Sequence, residues 1–277
     1  MISFVTSTAI LVLILLIARQ FEKRNPIEAT QSTAEIVVDW KLTALRWTTS
    51  QLLKPVTSAF AVMLVNAAGG GWIPLRSDGW WFVFSFIALI LAIDFWSFLI
   101  HRAQHRIPAL WAMHSLHHSA EALSMITGAR HFWLEEPILT AGFPILAIVF
   151  KIPSEIITPV ALFYILAGDG LAHLNLRMSL GRFALLIQNP QYHRIHHSVS
   201  AQHHDKNFCK LLPLFDVIFG TVWKPGKDEF PATGLDTGEK PAGTLDGIIW
   251  PVRHRLLWAG RGTSGLAVAT GTRDLVR

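Results

Sequence analysis

Cysteine is almost missing: Cys209 is the only one in 277 residues. A single thiol excludes an intrachain disulfide, and with it every zinc or iron–sulfur site built from several cysteines. Charge is scarce too, at 16% of the chain, where a soluble domain carries about 25%. Two catalytic signatures are absent. There is no HExxH metalloprotease motif, and no Glu-x-x-His pair of the kind carboxylate di-iron bundles use. No basic stripe interleaves with aromatics on a polar surface, so nucleic acid is not an expected partner.

What remains is apolar: 51% of the residues are hydrophobic, which is membrane composition. The formal charge of +5 then reads as cytoplasmic Lys and Arg beside anionic lipid. Trp40, Trp47, Trp72, Trp80 and Trp81 flank apolar stretches, as interfacial anchors do. Phe4 to Ala18 is continuously apolar and is followed by Arg19, Lys23 and Arg24. Without a basic start or a small-residue cleavage site it reads as an uncleaved helix, its positive flank in the cytoplasm. Leu42 to Ala68 reads as an interfacial helix leading into a second pass that ends at Gly69-Gly70-Gly71. Trp80 to Ile100 is the clearest span, since about 20 apolar residues cover a 30 Å core. Pro137 to Phe150 and Ile156 to Leu171 read together as a hairpin dipping through the membrane.

The expected fold is therefore all-α: an integral membrane protein of about four transmembrane or hairpin helices with a cytoplasmic, helical, histidine-rich metal-binding cap. Residues 1–79 supply N-terminal membrane helices and loops, 80–223 the central domain that the resemblance given below makes catalytic, and 224–277 a loosely folded tail. A compact single chain of this kind suits a bacterial inner membrane.

The chain has thirteen histidines, and most come in sets. His193-Arg194-Ile195-His196-His197 places imidazoles at i, i+3 and i+4. At about 100° per residue they share one helix face, and converging ring lone pairs make a metal half-site. The spacing recurs at His114, His117 and His118, and in shorter form at His101 and His105. A lone HxxxH pair is common on surface helices; two HxxHH sets in one chain are not. Eight such histidines exceed the ligand set of one ion, because zinc sites use three or four, so two metals are expected. Imidazoles alone accept Fe, Zn, Cu or Ni.

Asp94 falls within about 40° of His101 and His105 on one helix. A carboxylate in an apolar segment is costly. It either accepts a hydrogen bond from a ligand imidazole, fixing its tautomer, or snorkels to the interface or caps a neighbouring helix. His203 and His204 follow the last set and read as exposed loop residues. On these residues alone three functions stay open: a redox enzyme, a membrane metal-binding or transport protein, and a zinc-stabilised scaffold. Ligands past the helix ends, rather than at the bilayer midplane, argue against transport.

Further pieces follow in order. Asp94-Phe95 runs to His101-Arg102 and His105; Leu110-Trp111 runs to His114, His117, His118 and Ser119. Arg130-His131, His173-Leu174-Asn175 and Pro190 through Ser198 come next, then Asp205-Lys206-Asn207-Phe208 and Phe215 through Thr221. Together they make Asp94 to Thr221 resemble the membrane-bound fatty acid hydroxylase/sterol desaturase superfamily. The resemblance implies a non-haem di-iron site that uses O₂ and a partner's electrons to hydroxylate or desaturate a C–H bond of a membrane lipid, sterol, fatty acyl or related. Zinc can stand in for iron in preparations. It implies His101, His105, His114, His117, His118, His193, His196 and His197 as metal ligands, His173 as a ninth, and His131 as either a ligand or a neighbour that orients one. Asp169 stands where some members have a histidine, and Cys209 where glycine is usual. The chain has no b5-like haem segment, so electrons come from a separate protein. Arg102, Arg106, Lys206 and Lys210 are either its docking surface or plain interfacial cations.

Overall fold

The computed structural model describes residues 13, 16–17, 19–28, 31–164, 167–168 and 170–254. Most of the first apolar run, Asp169 and the last 23 residues, 255–277, lie outside the described residues. The described chain is mostly helical.

Helix α1 (Thr33–Ala67) begins at a capping box. Ser32 Oγ accepts the Glu35 N–H at 3.3 Å, and the Glu35 carboxylate accepts the Ser32 N–H at 3.0 Å, which satisfies two end donors that the helix leaves open. The first half of α1 buries Asp39, Leu42 and Thr43. Its second half turns Leu52, Val56, Phe60 and Met63 outward. Beyond a glycine turn, β1 (Ile73–Pro74) pairs in parallel with β2 (Phe150–Lys151).

Helix α2 (Gly79–Arg106) has 28 residues, about 42 Å at 1.5 Å per residue. Its buried stripe runs through Ser85, Leu89, Ile90, Asp94, Phe98, His101 and Gln104, and from Ile90 onward the steps of three and four define one face. The stripe is mainly apolar where it begins and carries imidazole and amide groups where it ends. Proline stops the helix. Ile107 is extended (φ −97°, ψ 115°), as the ring of a following proline requires. Pro108 then opens α3 (Pro108–His118) at a position where its missing N–H costs nothing.

The hairpin expected over 137–171 resolves into α5 (Glu135–Thr140), α6 (Gly142–Val149), β2 and α7 (Ser154–Tyr164), after the short α4 (Met125–Ala129). Among the described residues α2 is the one helix long and apolar enough to cross a membrane. The shorter pieces α8 (Gly170–Ala172), α9 (Pro190–His196), α10 (Leu214–Ile218) and α11 (Thr244–Ile248) complete the order.

Two apolar cores flank the end of α2. One joins α1, α3 and the C-terminal stretch through Leu42, Leu116, Phe132, Leu235 and Trp250. The other joins α2 and α7 through Leu89, Ile90, Ile156, Val160 and Leu211. Residues 224–254 are thus not loose, as their polar composition had implied. Trp250 donates its indole N–H to Ser115 Oγ at 2.9 Å, Gln191 donates to the Gly226 carbonyl at 2.7 Å, and Arg194 donates to the Pro231 carbonyl at 2.7 Å. A few buried apolar side chains and these bonds are enough to fix the segment.

Candidate metal centre

The last histidine set sits on α9, a helix of seven residues, all buried. So short a helix depends on its ends. The Asn189 side chain accepts the Tyr192 N–H at 3.1 Å and Pro190 supplies the first helical residue. His193, His196 and His197 then meet the rings from α2 and α3. The nine expected rings fall into two groups whose ligand atoms lie within 4.8 Å of one another: His101, His105, His114, His118 and His196 in the first, His117, His173, His193 and His197 in the second. Each HxxHH set therefore straddles both groups. The i and i+4 rings stack one turn apart and share a group, while the i+3 ring, rotated off that row, faces the other. The sequence had suggested one half-site per set; each set is divided between the two groups instead.

The ring nitrogens are arranged for cations rather than for one another. In the second group, Nε2 of His173 lies 3.1 Å from Nε2 of His117 and 2.8 Å from Nε2 of His193, which lies 3.1 Å from Nε2 of His197. Four imidazoles cannot satisfy such a chain with hydrogen bonds alone, because each neutral ring has one N–H. Nitrogens about 2.1 Å from a shared ion stand roughly 3 Å apart along the edges of an octahedron, which is this spacing. Buried ring nitrogens of His101, His114, His117, His193, His196 and His197 have no hydrogen-bond partner. Burial, reinforced by neighbouring imidazoles, pushes His117, His118, His193 and His197 well below the usual histidine range. Burial carries His196 down to about 3, against an opposing pull from the Lys206 carbonyl. The rings are therefore neutral at physiological pH, and their lone pairs are available. The donor set fits metal.

Backbone carbonyls aim two of the rings. Nδ1 of His196 donates to the Lys206 carbonyl at 2.8 Å and Nδ1 of His101 to the Phe208 carbonyl at 2.7 Å. In both, the partnerless atom is Nε2, which fixes the tautomer that presents Nε2 to the group. The carbonyls come from a turn with Asp205 and Asn207 at φ of 58° and 57°, a region that Asp and Asn enter more readily than other side chains. Asn207 pins this turn by donating to the Tyr192 and Trp223 carbonyls, each at 3.0 Å.

Two carboxylates that sequence reasoning did not single out support the rings. Glu135 is fully buried and gathers Gln104, His114, His131 and the Phe132 N–H. Burial raises its pKa, but the imidazoles of His131 and His114 outweigh that and hold the carboxyl below its usual range. Asp216 accepts the Phe208 and Cys209 N–H groups at 2.9 and 2.8 Å, and the hydroxyls of Tyr192 and Thr221 at 3.0 and 2.6 Å. The available signals were Glu135 four residues after His131, and Asp216 as a lone acid in the apolar run Leu214–Ile218.

Asp94 takes a different place from the one expected of a histidine partner. Its carboxylate accepts the backbone N–H groups of Leu211 and Leu212 at 3.0 and 2.8 Å, with the Tyr164 hydroxyl at 3.4 Å. It caps a buried turn rather than an imidazole. His131 stacks on His117, centroids 4.1 Å apart. His203 is not an exposed loop residue: it is buried, with Nδ1 2.9 Å from Ser198 Oγ and Nε2 3.1 Å from Glu229, so both ring nitrogens are engaged. His204 is partly buried beside it, and Cys209 is packed in the core with Phe98 and Phe208.

Gly128 sets the position of His173. A Cβ there meets the His173 ring at 2.6 Å from Cγ and 2.7 Å from Nδ1. Gly128→Ala is expected to push His173 out of its group while the helical segment survives, and to halve the metal held by purified protein. Metal content equal to wild type would show that the ring tolerates the contact.

These buried rings, gathered by helices into two adjoining groups, define a helical protein with a histidine-only centre fitted to metal. Residues 86–221, which contain every ring of both groups, match the fatty acid hydroxylase family model. Over that stretch, about half of the chain, it is similar to the fatty acid hydroxylase family. It is 29% identical over 187 residues to alkylglycerol monooxygenase of Danio rerio, a match over 65% of this chain and 37% of that protein. It is 27% identical to ornithine lipid hydroxylase OlsE of Rhizobium tropici, over 64% of this chain and 53% of the relative. It is 33% identical over 132 residues to very-long-chain aldehyde decarbonylase GL1-1 of rice, over 44% of this chain and 21% of that protein. The chain thus spans from about a fifth to about half of the length of these relatives. No solved structure matches it.

Proposed function

We propose that the chain is an O₂-dependent, non-haem di-iron oxidoreductase that hydroxylates a C–H bond of a membrane lipid. The observation that carries this reading is the pair of adjoining groups of buried imidazoles whose ligand atoms converge, with Nε2 of His101, His114 and His196 lacking a hydrogen-bond partner. His101, His105, His114, His118 and His196 would hold one iron, and His117, His173, His193 and His197 the other; zinc suits the same nitrogens. Bound irons supply activation of O₂ with two electrons and two protons, one oxygen atom entering the C–H bond and the other leaving as water. The names of the relatives, a monooxygenase and a lipid hydroxylase, favour hydroxylation over desaturation.

The chain's own residues position the lipid and keep the rings dry. Trp80, Phe84, Ile87, Phe95 and Leu99 are exposed along α2 and offer an apolar face to lipid, on the side of the helix away from the buried stripe that carries His101. Phe98 and Phe208 are buried against each other, and Phe208 against His101, so water is excluded from that side of the first group. In this reading α2, the N-terminal apolar run, the second half of α1 and the 137–171 segment occupy the bilayer of a bacterial inner membrane. The metal site then lies on the cytoplasmic side, where reductant is available. A separate electron-donor protein docks on Arg102, Arg106, Lys206 and Lys210.

The test is lipid analysis of a host carrying either the wild-type chain or His196→Ala, grown under ¹⁸O₂. The expected result is a lipid gaining one ¹⁸O atom with wild type only. Iron-loaded wild type that yields no O₂-labelled lipid in host membranes would sink the reading.

A further inference from the structure

The buried carboxylate of Glu135 lies outside both groups of nine rings, yet three chain segments converge on it. Its Oε2 accepts from Gln104 Nε2 at 2.9 Å, from His131 Nδ1 at 3.1 Å and from His114 Nδ1 at 3.3 Å, and its Oε1 accepts the Phe132 N–H at 3.2 Å. Gln104 stands on α2 between His101 and His105, and His114 stands on α3, so one side chain ties together both helices that feed the first group. His114 belongs to that group, and its Nε2 is buried without a hydrogen-bond partner. The ring of His131, held at the same oxygen, lies nearly parallel to His117 (11°) with centroids 4.1 Å apart, and His117 belongs to the second group.

We propose that Glu135 is an outer carboxylate shared by both imidazole groups: a positioning residue that holds His114 directly, and His117 through the stacked ring of His131. The inference rests on the metal reading given above and says which residue orients the ligands. An ionised carboxylate has no donor, so both Nδ1 atoms facing it carry hydrogen. His114 is thereby confined to the tautomer whose Nε2 lone pair points into the first group. A hydrogen-bonded carboxylate behind an imidazole orients the ring and raises its basicity as a ligand.

His114, His131 and Glu135 also bring ligand atoms within 4.8 Å of one another, as a third metal site would. The donors argue otherwise. The Gln104 amide and both imidazoles crowd Oε2 with three donors, more than the two lone pairs of one carboxylate oxygen, and the Phe132 N–H points its hydrogen at Oε1. A cation there would face N–H groups.

The experiment is titration of metal-free protein in detergent with Co²⁺ in competition with a chelator, following stoichiometry, affinity and the cobalt absorption spectrum. Wild type is expected to take up two equivalents. In Glu135→Gln an amide replaces the carboxylate, so an NH₂ must face either Phe132 N–H or the imidazole donors. The expected result is two equivalents with affinity weakened about 10- to 100-fold and an altered spectrum. His131→Phe, which keeps a ring against His117 but cuts its link to Glu135, is expected to weaken one equivalent and spare the other. It also serves if Glu135→Gln fails to fold. Two equivalents in wild type with unchanged affinity and spectrum in the folded variants would overturn the shared-carboxylate role and leave the metal reading standing. Three equivalents in wild type, falling to two in either variant, would overturn it in favour of a third ion. No uptake by wild type would overturn the metal reading and this inference together.

Discussion

Stripping metal from the purified protein with a strong chelator is expected to lower its melting temperature by roughly 10 °C, and restoring Fe²⁺ or Zn²⁺ to recover it. The size follows from linkage. An ion held at a thousand times its dissociation constant stabilises the folded state by about 4 kcal/mol, and each kcal/mol is worth about 2–4 °C in a chain of this size. The sign follows from the interior. Nε2 of His101, His114 and His196, all in the first group, is buried without a hydrogen-bond partner, and a buried polar atom left unsatisfied costs about 1–3 kcal/mol. Those costs together approach the whole stability of an ordinary domain, about 5–15 kcal/mol. A protein that folds around these rings needs cations to offset them. Thermal unfolding in detergent with and without chelator checks the prediction, and an unchanged melting point would mean that the rings are satisfied some other way.

Asp216→Ala is expected to be the most damaging single change outside the rings, at several kcal/mol, because each buried donor left without its acceptor costs about 1–3 kcal/mol. The carboxylate is fully buried and receives two backbone N–H groups and two hydroxyls. Removing it strands all four donors. It also frees Phe208, whose carbonyl holds His101, so damage to stability reaches the first imidazole group. Burial and then the Asp216 charge drive the pKa values of Tyr192 and Cys209 upward, so the tyrosine remains an O–H donor to the carboxylate. Asp216→Asn keeps an acceptor but turns an NH₂ toward the donors, and roughly half the loss is expected. Fluorescence-detected gel filtration and thermal unfolding of the two variants beside wild type would measure this. Wild-type stability in Asp216→Ala would show that water or a shifted turn replaces the carboxylate.

The histidines were legible because their chemistry is carried by residue type and spacing: a neutral imidazole at i, i+3 and i+4 has few other uses in bulk. Their division into two groups was not legible, since it depends on where folding places each ring. Asp94 shows a second limit. Helical spacing set it on the face of His101 correctly, as the buried stripe of α2 confirms. The pattern said nothing of the turn at Leu211 and Leu212, more than a hundred residues away, whose buried N–H groups needed an acceptor. Glu135 and Asp216 were hidden for the same reason, as most of their partners are side chains and backbone groups brought close only by folding. The segment 224–254 misled through composition. Its glycines, prolines and charges resemble a linker, while Leu235 and Trp250 suffice to bury it against α1 and α3.

The spread of the centre along the chain has a consequence in time. The first ring is His101 and the last is His197, and the carbonyls that aim His101 and His196 belong to Phe208 and Lys206. At a synthesis rate of about 5–20 residues per second, His101 waits roughly 5–20 s for residue 208 to be made. During that interval the HxxxH pair of α2 is an open chelate with no second helix to complete it. The complete groups form only after synthesis has passed α9 and the turn beyond it, so through that interval the early rings stand open to capture of a metal in the wrong geometry.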